Sequence, residues 1–235
     1  MTSVDLEIDE GVAHIWLNRP DRLNAVAPEL VDDLLSALDR TANTKAVVLA
    51  GRGRAFCAGH DLKQTPQGDS RARIERLQEV TRRLRTIPQP VIAAVHGYAI
   101  GAGAEFALGC DLVLAAEDAV FAFPEASLGL SVTGAASRLL PLIVGPLKAK
   151  ELLLLGERVD ARTAHELGLV NAVVPHLHET ARDWARRIPA HPATTLAKRA
   201  LDAGIDSALE QALELEVSHA LITEHLPGNA LGSRA

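Results

Sequence analysis

Residues 90–105 read Pro90-Val91-Ile92-Ala93-Ala94-Val95-His96-Gly97-Tyr98-Ala99-Ile100-Gly101-Ala102-Gly103-Ala104-Glu105. Val91 to Val95 form a short apolar run, bounded by a proline and a glycine, of the length and composition of a buried strand. Gly97 to Gly103 predicts a glycine turn, and a helix from about Ala102 to Leu108 follows it. The stretch ends on a carboxylate. Glu105 lies among apolar and small residues, where a charge is costly unless it is paired, hydrogen-bonded or functional.

A second carboxylate has the same setting, at the end of Val120-Phe121-Ala122-Phe123-Pro124-Glu125. Two such groups can divide acid and base work on one substrate, provided the fold brings Glu105 and Glu125 together.

The same pattern extends in both directions. Leu6 to Ile8 and Val12 to Leu17 read as strands split by the turn Asp9-Glu10-Gly11. Pro28 opens a helix whose apolar stripe is Leu30, Leu34, Leu35 and Leu38. Ala46 to Ala50 is a short strand, and Ala55 to Leu62 is turn-like. Thr65 to Ser70 is a polar loop, and the helix after it is stopped by Pro88 and Pro90. Downstream, Leu112 to Ala115 and Val120 to Phe123 are strands. Helices follow at Gly134–Ile143, Pro146–Leu155 and Ala161–Leu167, then a strand at Val170–Val174. Further helices lie around Leu177–Arg187, Ala193–Ala203 and Asp206–Thr223, and Gly228 to Ala235 reads as a frayed tail. Strands and helices alternate early and helices dominate late, which predicts an α/β layered core. We divide the chain into a core over residues 1–175 and a C-terminal helical region over 176–235. No repeat of 20–50 residues aligns.

The chain has 235 residues, 48% of them hydrophobic, enough for one well-buried core. The net charge is −6 and aromatics are 3%, with no basic stripe, which argues against nucleic-acid binding. Arg71 to Arg85 alternates with Glu75, Glu79 and apolar residues, as an amphipathic helix does. No apolar run reaches the roughly 18 residues of a membrane span, and no signal peptide is evident at the start. Two distant cysteines, Cys57 and Cys110, fit a reduced cytoplasmic protein and small core positions.

Two glycine turns, Cys57-Ala58-Gly59-His60-Asp61 and Gly97 to Gly103, admit two readings. They are tight turns that allow close packing, or they present backbone N–H groups to a ligand. Two N–H groups aimed at one point would form an oxyanion hole.

The order of motifs bears on that choice. Leu17-Asn18-Arg19-Pro20 with Asn24-Ala25, then Ala55 to Leu62, Pro90 to Asp111, Phe123-Pro124-Glu125 with Leu128-Gly129, and Gly168 to Pro175 resemble, in sequence order, the motifs of the crotonase family. These are the enoyl-CoA hydratases and isomerases, and the resemblance spans nearly the whole chain. It implies an α/β fold, a spiral of ββα units with C-terminal helices used for trimerisation. It implies backbone N–H donors at His60 and Ala102 for a thioester oxygen. Glu105 and Glu125 correspond to the two catalytic glutamates of the hydratases, Glu105 as base and Glu125 as acid. Ala25, Ala58, His60 and Leu62 match positions on the CoA-binding face. The implied reaction adds water across the 2,3-double bond of an enoyl-CoA. It needs no metal or separate cofactor, because coenzyme A is carried by the substrate. The implied assembly is a homotrimer or a dimer of trimers, with no nucleic-acid or membrane partner.

The sequence also departs from the family pattern. Val132-Thr133-Gly134-Ala135-Ala136 stands where a Pro-Gly-x-Gly-Gly-like stretch is usual, so Thr133 adds a side chain beside the expected substrate pocket. The alternatives within the scaffold are a Δ3–Δ2 isomerase, a thioesterase or a decarboxylase. Outside it stands a non-catalytic acyl-CoA-binding protein. A dinucleotide fingerprint fails at Phe106 and a nucleophile elbow at Thr133. His176 and His178 lack a third metal ligand.

Overall fold

The computed structural model describes residues 2–64, 68–206 and 208–225. The chain opens with a hairpin of β1 (Val4–Asp9) and β2 (Val12–Leu17). Glu10 and Gly11 both take positive φ, 48° and 76°, the two-residue turn that matches strand twist. Helix α1 (Pro28–Asp39) starts on Pro28, whose missing N–H costs nothing at a helix start. Strand β3 (Ala46–Gly51), helix α2 (Ser70–Thr86), strands β4 (Val91–Val95) and β5 (Tyr98–Ile100) and helix α3 (Ala102–Gly109) follow. Next come β6 (Leu112–Ala115), β7 (Val120–Ala122), α4 (Ala136–Val144) and α5 (Pro146–Leu155). The remainder is β8 (Val159–Asp160), α6 (Ala161–Glu166), β9 (Ala172–Val173), α7 (Leu177–Arg187), α8 (Pro192–Asp206) and α9 (Leu209–Glu224).

The main sheet has the order β1-β2-β3-β4-β6-β9, parallel from β2 onward. Both of its faces are covered. Val47, Leu49, Ala93 and Val95 face the main core, while Val48, Ala50, Ile92 and Ala94 pack with Leu177, Ala181 and Ala185 of α7. A strand buried on both faces has no reason to alternate, which is why its sequence is a continuous apolar run.

Between main-sheet strands the chain steps into a second layer. There Val26 bridges His60, Cys57 bridges Ala99, and β5 runs parallel to β7, which pairs in turn with β8. Successive turns of a ββα spiral therefore lie side by side, and their loops converge where the candidate residues sit.

The structure corrects the reading at three points. The Gly97–Gly103 turn contains a strand, β5, whose partners are the distant residues Cys57 and 120–122. Three residues between glycines carry no periodicity to read. Strand β8 was not expected, for the same reason of length. The strand expected over Val170–Val174 shrinks to Ala172–Val173. Thr65–Gln67 of the expected polar loop and the expected tail, 228–235, lie outside the described residues.

Candidate active site

Helix α3 is buried along its whole length. A Cβ on Gly103 would lie 2.1 Å from the Cys57 carbonyl oxygen, so only glycine lets α3 approach the Cys57 loop this closely. That approach carries Glu105, one turn into the helix, into the interior, where it is 2% exposed. Both of its carboxylate oxygens accept hydrogen bonds from Thr133. The peptide N–H reaches Oε1 at 2.7 Å and the hydroxyl reaches Oε2 at 2.5 Å. Burial pushes the Glu105 pKa well above the usual carboxylate range, the nearby Glu125 carboxylate pushes it further, and the Thr133 donors oppose both.

Glu125 follows β7 and is also buried. Its carboxylate lies against the start of α3, since a Cβ on Gly101 would come within 2.7 Å of Glu125 Oε1. Gly101 has φ 53° and ψ −123°, a conformation open essentially to glycine alone. Glu125 Oε2 is buried and has no hydrogen-bond partner among the described residues. Burial raises the Glu125 pKa to about 7. The two carboxyls interact, so their protons leave in steps that belong to the pair.

Two backbone donors complete the arrangement. Among the described residues, the N–H groups of His60 and Ala102 have no acceptor. Their loops touch, because a Cβ on Gly59, which has φ 83°, would sit 2.7 Å from Ile100 O and 3.9 Å from Ala102 N. The His60 imidazole is half-buried. Desolvation, and then the Arg73 guanidinium, lower its pKa, against a smaller opposing pull from Glu224.

A cavity of about 840 Å³ adjoins this centre, lined by Val26, His60, Leu77, Glu125, Leu130 and Thr133, with Ala220 and Glu224 of α9 on its wall. Glu105 touches the cavity through Thr133, which lines it. The structure thus brings Glu105, Glu125, His60, Ala102 and Thr133 together. Ala25 and Leu62 neighbour the lining residues Val26 and Asp61, and the Ala58 N–H bonds to Leu23 O.

Sequence reasoning assigned no role to the residues that hold these loops, although Arg19 and Asn24 stood in the first motif. Asn24, fully buried at φ 55°, donates to the carbonyls of Arg52, Ala55 and Phe56 and accepts from the Arg19 N–H. Arg19 bonds the Ala25 carbonyl and pairs with Asp61 at 3.0 Å. Gln78 and Glu216 are buried and bond the 134–137 segment. A signal for both was present, since each is a polar residue on an apolar helix stripe. Gln78 follows Ile74 and Leu77, and Glu216 stands between Leu213 and Val217.

The model of the family described as enoyl-CoA hydratase/isomerase matches residues 7–225. The chain belongs to this family. Its similarity to 1,2-epoxyphenylacetyl-CoA isomerase of Escherichia coli (strain K12) is 37% identity over 225 residues, 89% of this chain and 85% of the relative. A probable enoyl-CoA hydratase of Bacillus subtilis (strain 168) is 36% identical over 178 residues, 73% of this chain and 69% of that one. Among solved structures, an enoyl-CoA hydratase from Mycobacterium avium subsp. paratuberculosis K-10 superposes with a TM-score of 0.89 at 30% identity, covering 96% of this chain and 92% of that chain. An enoyl-CoA hydratase/isomerase from Xanthobacter autotrophicus Py2 gives a TM-score of 0.83 at 39% identity, over 92% and 86%. These likenesses establish the crotonase fold, and the names they carry divide between hydratase and isomerase.

Proposed function

We propose that the protein is an enoyl-CoA hydratase, with coenzyme A carried by the substrate and no separate cofactor. The observation that carries this reading is the pair of buried carboxyls, Glu125 lining the cavity and Glu105 behind Thr133, beside two backbone N–H groups with no acceptor among the described residues. In the proposed reaction Glu105 takes a proton from water as its oxygen attacks C3. Charge then builds on the thioester oxygen and is held by the N–H groups of His60 and Ala102, which need no reorganisation. Glu125 delivers its proton to C2. The pair begins and ends with one proton, which has moved from Glu125 to Glu105. The two Thr133 donors favour the charge on Glu105 against the burial that raises its pKa, and the proposed reaction starts with the proton on Glu125. Ala25, Ala58 and Leu62 would contact CoA at the mouth of the cavity.

A second reading, the Δ3–Δ2 isomerase, has one observation in its favour. Thr133 engages both oxygens of Glu105, whereas Glu125 keeps a buried oxygen with no partner among the described residues. A single carboxyl suffices to move a proton between C4 and C2.

We also propose self-association through α4 and α5, where Leu142, Ile143, Leu147, Leu154 and Leu155 are exposed. Among the described residues no helix is long and apolar enough to cross a membrane. The free thiols of Cys57 and Cys110 fit a reducing compartment, and we propose the cytoplasm.

The test is loss of the conjugated-enone absorbance of crotonyl-CoA on mixing with the protein. Rapid loss in wild type, abolished in Glu105→Gln and Glu125→Gln, supports the hydratase. Retained 2,3–3,4 double-bond isomerisation in Glu105→Gln, with no hydration by wild type, supports the second reading.

A further inference from the structure

Segment 131–137 holds Glu105, but its own conformation is costly. Gly134 and Ala135 both take positive φ, 60° and 59°, the latter unfavourable for a residue with a Cβ. Few local backbone bonds secure it. Its peptide N–H groups turn instead to three side chains distant in sequence. Thr133 N donates to Glu105 and Gly134 N donates to Gln78 Oε1 at 2.7 Å. Ala135 N donates to Glu216 Oε2 at 2.8 Å, and Ser137 N donates to Glu216 Oε1 at 2.9 Å.

Glu216 is 1% exposed and accepts two more bonds, from Ser137 Oγ at 2.5 Å and from Gln78 Nε2 at 3.2 Å. Four donors on two oxygens is the arrangement of a carboxylate. It also caps the start of α4, whose unpaired N–H groups favour an anion there. Gln78 closes the circuit, since its other end fixes Gly134 and it bonds the Leu213 carbonyl at 3.3 Å. The same helix, α9, supplies Ala220, Thr223 and Glu224 to the cavity wall.

We infer that Glu216, on the C-terminal helix α9, is a positioning residue that sets the orientation of Glu105 through Gln78 and the 133–137 segment. This rests on the reading that Glu105 takes part in the reaction. Glu216 touches no substrate. It fixes the peptide whose N–H and hydroxyl hold the Glu105 carboxylate, so α9 belongs to the catalytic apparatus of its own subunit.

The test separates this role from simple support of the fold. The groups facing Glu105 are Glu125 at the end of β7, Glu216 on α9, the Cys57 thiol and the Thr133 donors. Removing the charge of Glu216 would by itself move the titration of Glu105 down. Releasing Thr133 would move it up, because the donors that favour the charged form are lost. We therefore follow the Glu105 carboxyl band by difference infrared spectroscopy against Glu105→Gln, in wild type, Glu216→Gln and Ser137→Ala. The expected result is an upward shift in both backgrounds, in Glu216→Gln because loss of the Thr133 donors outweighs loss of the Glu216 charge. It should be accompanied by a fall in kcat of up to about 100-fold with little change in KM. Folded Glu216→Gln with Glu105 titrating unchanged or lower overturns the inference. If Glu216→Gln does not fold, Ser137→Ala, which keeps the charge, decides alone, and no upward shift there overturns it. If wild type hydrates no enoyl-CoA, the proposed function fails, and the infrared titration still decides the role of Glu216.

Discussion

The segments on the two sides of Glu105 are built on different principles. Residues 91–109 form strand, strand and helix, fixed by sheet ladders and by backbone packed on backbone, with Gly103 set against the Cys57 carbonyl. Residues 131–137 have no sheet pairing and rest on hydrogen bonds to Glu105, Gln78 and Glu216. The first region places the carboxylate and the second orients it. Damage to the first should therefore appear as lost stability, and damage to the second as lost chemistry in a folded protein.

The largest expected effect is on the carboxyls that the two regions share. Glu125→Gln and Glu105→Gln should each lower kcat for hydration by about 10²–10⁴-fold, read in steady-state kinetics with the fold checked by circular dichroism. Equal falls would fit the division of acid and base work, whereas no hydration by wild type, with double-bond isomerisation lost only in Glu125→Gln, would favour the single-carboxyl isomerase.

The same substitution should stabilise the protein at alkaline pH. The Glu125 pKa is raised by burial from 4.5 to about 7 in the folded state. A carboxyl shifted upward favours folding below its unfolded pKa, and that contribution is lost as pH rises through about 7. Above that pH the native state must hold a buried charge, at a cost of about 3 kcal/mol. Denaturant midpoints at pH 5 and pH 8 should show Glu125→Gln gaining on wild type only at the higher pH. A gain only at pH 5 would reverse the sign of the burial argument.

Gly103→Ala probes the first region. Its Cβ would meet backbone that cannot rotate away, so unfolding free energy should drop by about 1–3 kcal/mol, measured by urea titration. An unchanged midpoint would mean that α3 is free to move.

Thr133→Ala probes the second region and should be milder. It removes one hydrogen bond to a charged group and retains the peptide donor, so kcat should fall about tenfold with the urea midpoint nearly constant. Thr133→Ser should retain most of the activity. Enhanced hydration in Thr133→Ala would instead mean that the hydroxyl occupies the position of the water.

The same contrast explains what could be read from the sequence. The strands Val91–Val95 and Leu112–Ala115 and the helices starting at Pro28 and Pro146 were legible, because apolar runs and prolines report burial and chain direction locally. Glu105 and Glu125 stood out because carboxylates in apolar surroundings need a reason. The convergence of His60 and Ala102 was available only through resemblance, since it depends on Cys57 pairing with Ala99 across the spiral. Strand β5 and the Glu216 clamp were not read. A three-residue strand has no measurable period, and the partners of Glu216 lie 79 and 81 residues away. Even so, a signal went unused: Gln78 and Glu216 are polar residues on apolar stripes, the same kind of signal that singled out Glu105.

The most direct test of the central claim is the fate of isotopic label from solvent when the protein is incubated with short- and medium-chain 2-enoyl-CoA thioesters. Hydration by the paired carboxyls predicts oxygen-18 from labelled water at C3 and deuterium from heavy water at C2, with both incorporations lost in Glu105→Gln. Deuterium incorporation at C2 or C4 with no oxygen-18 in the product, undiminished in Glu105→Gln, would contradict it.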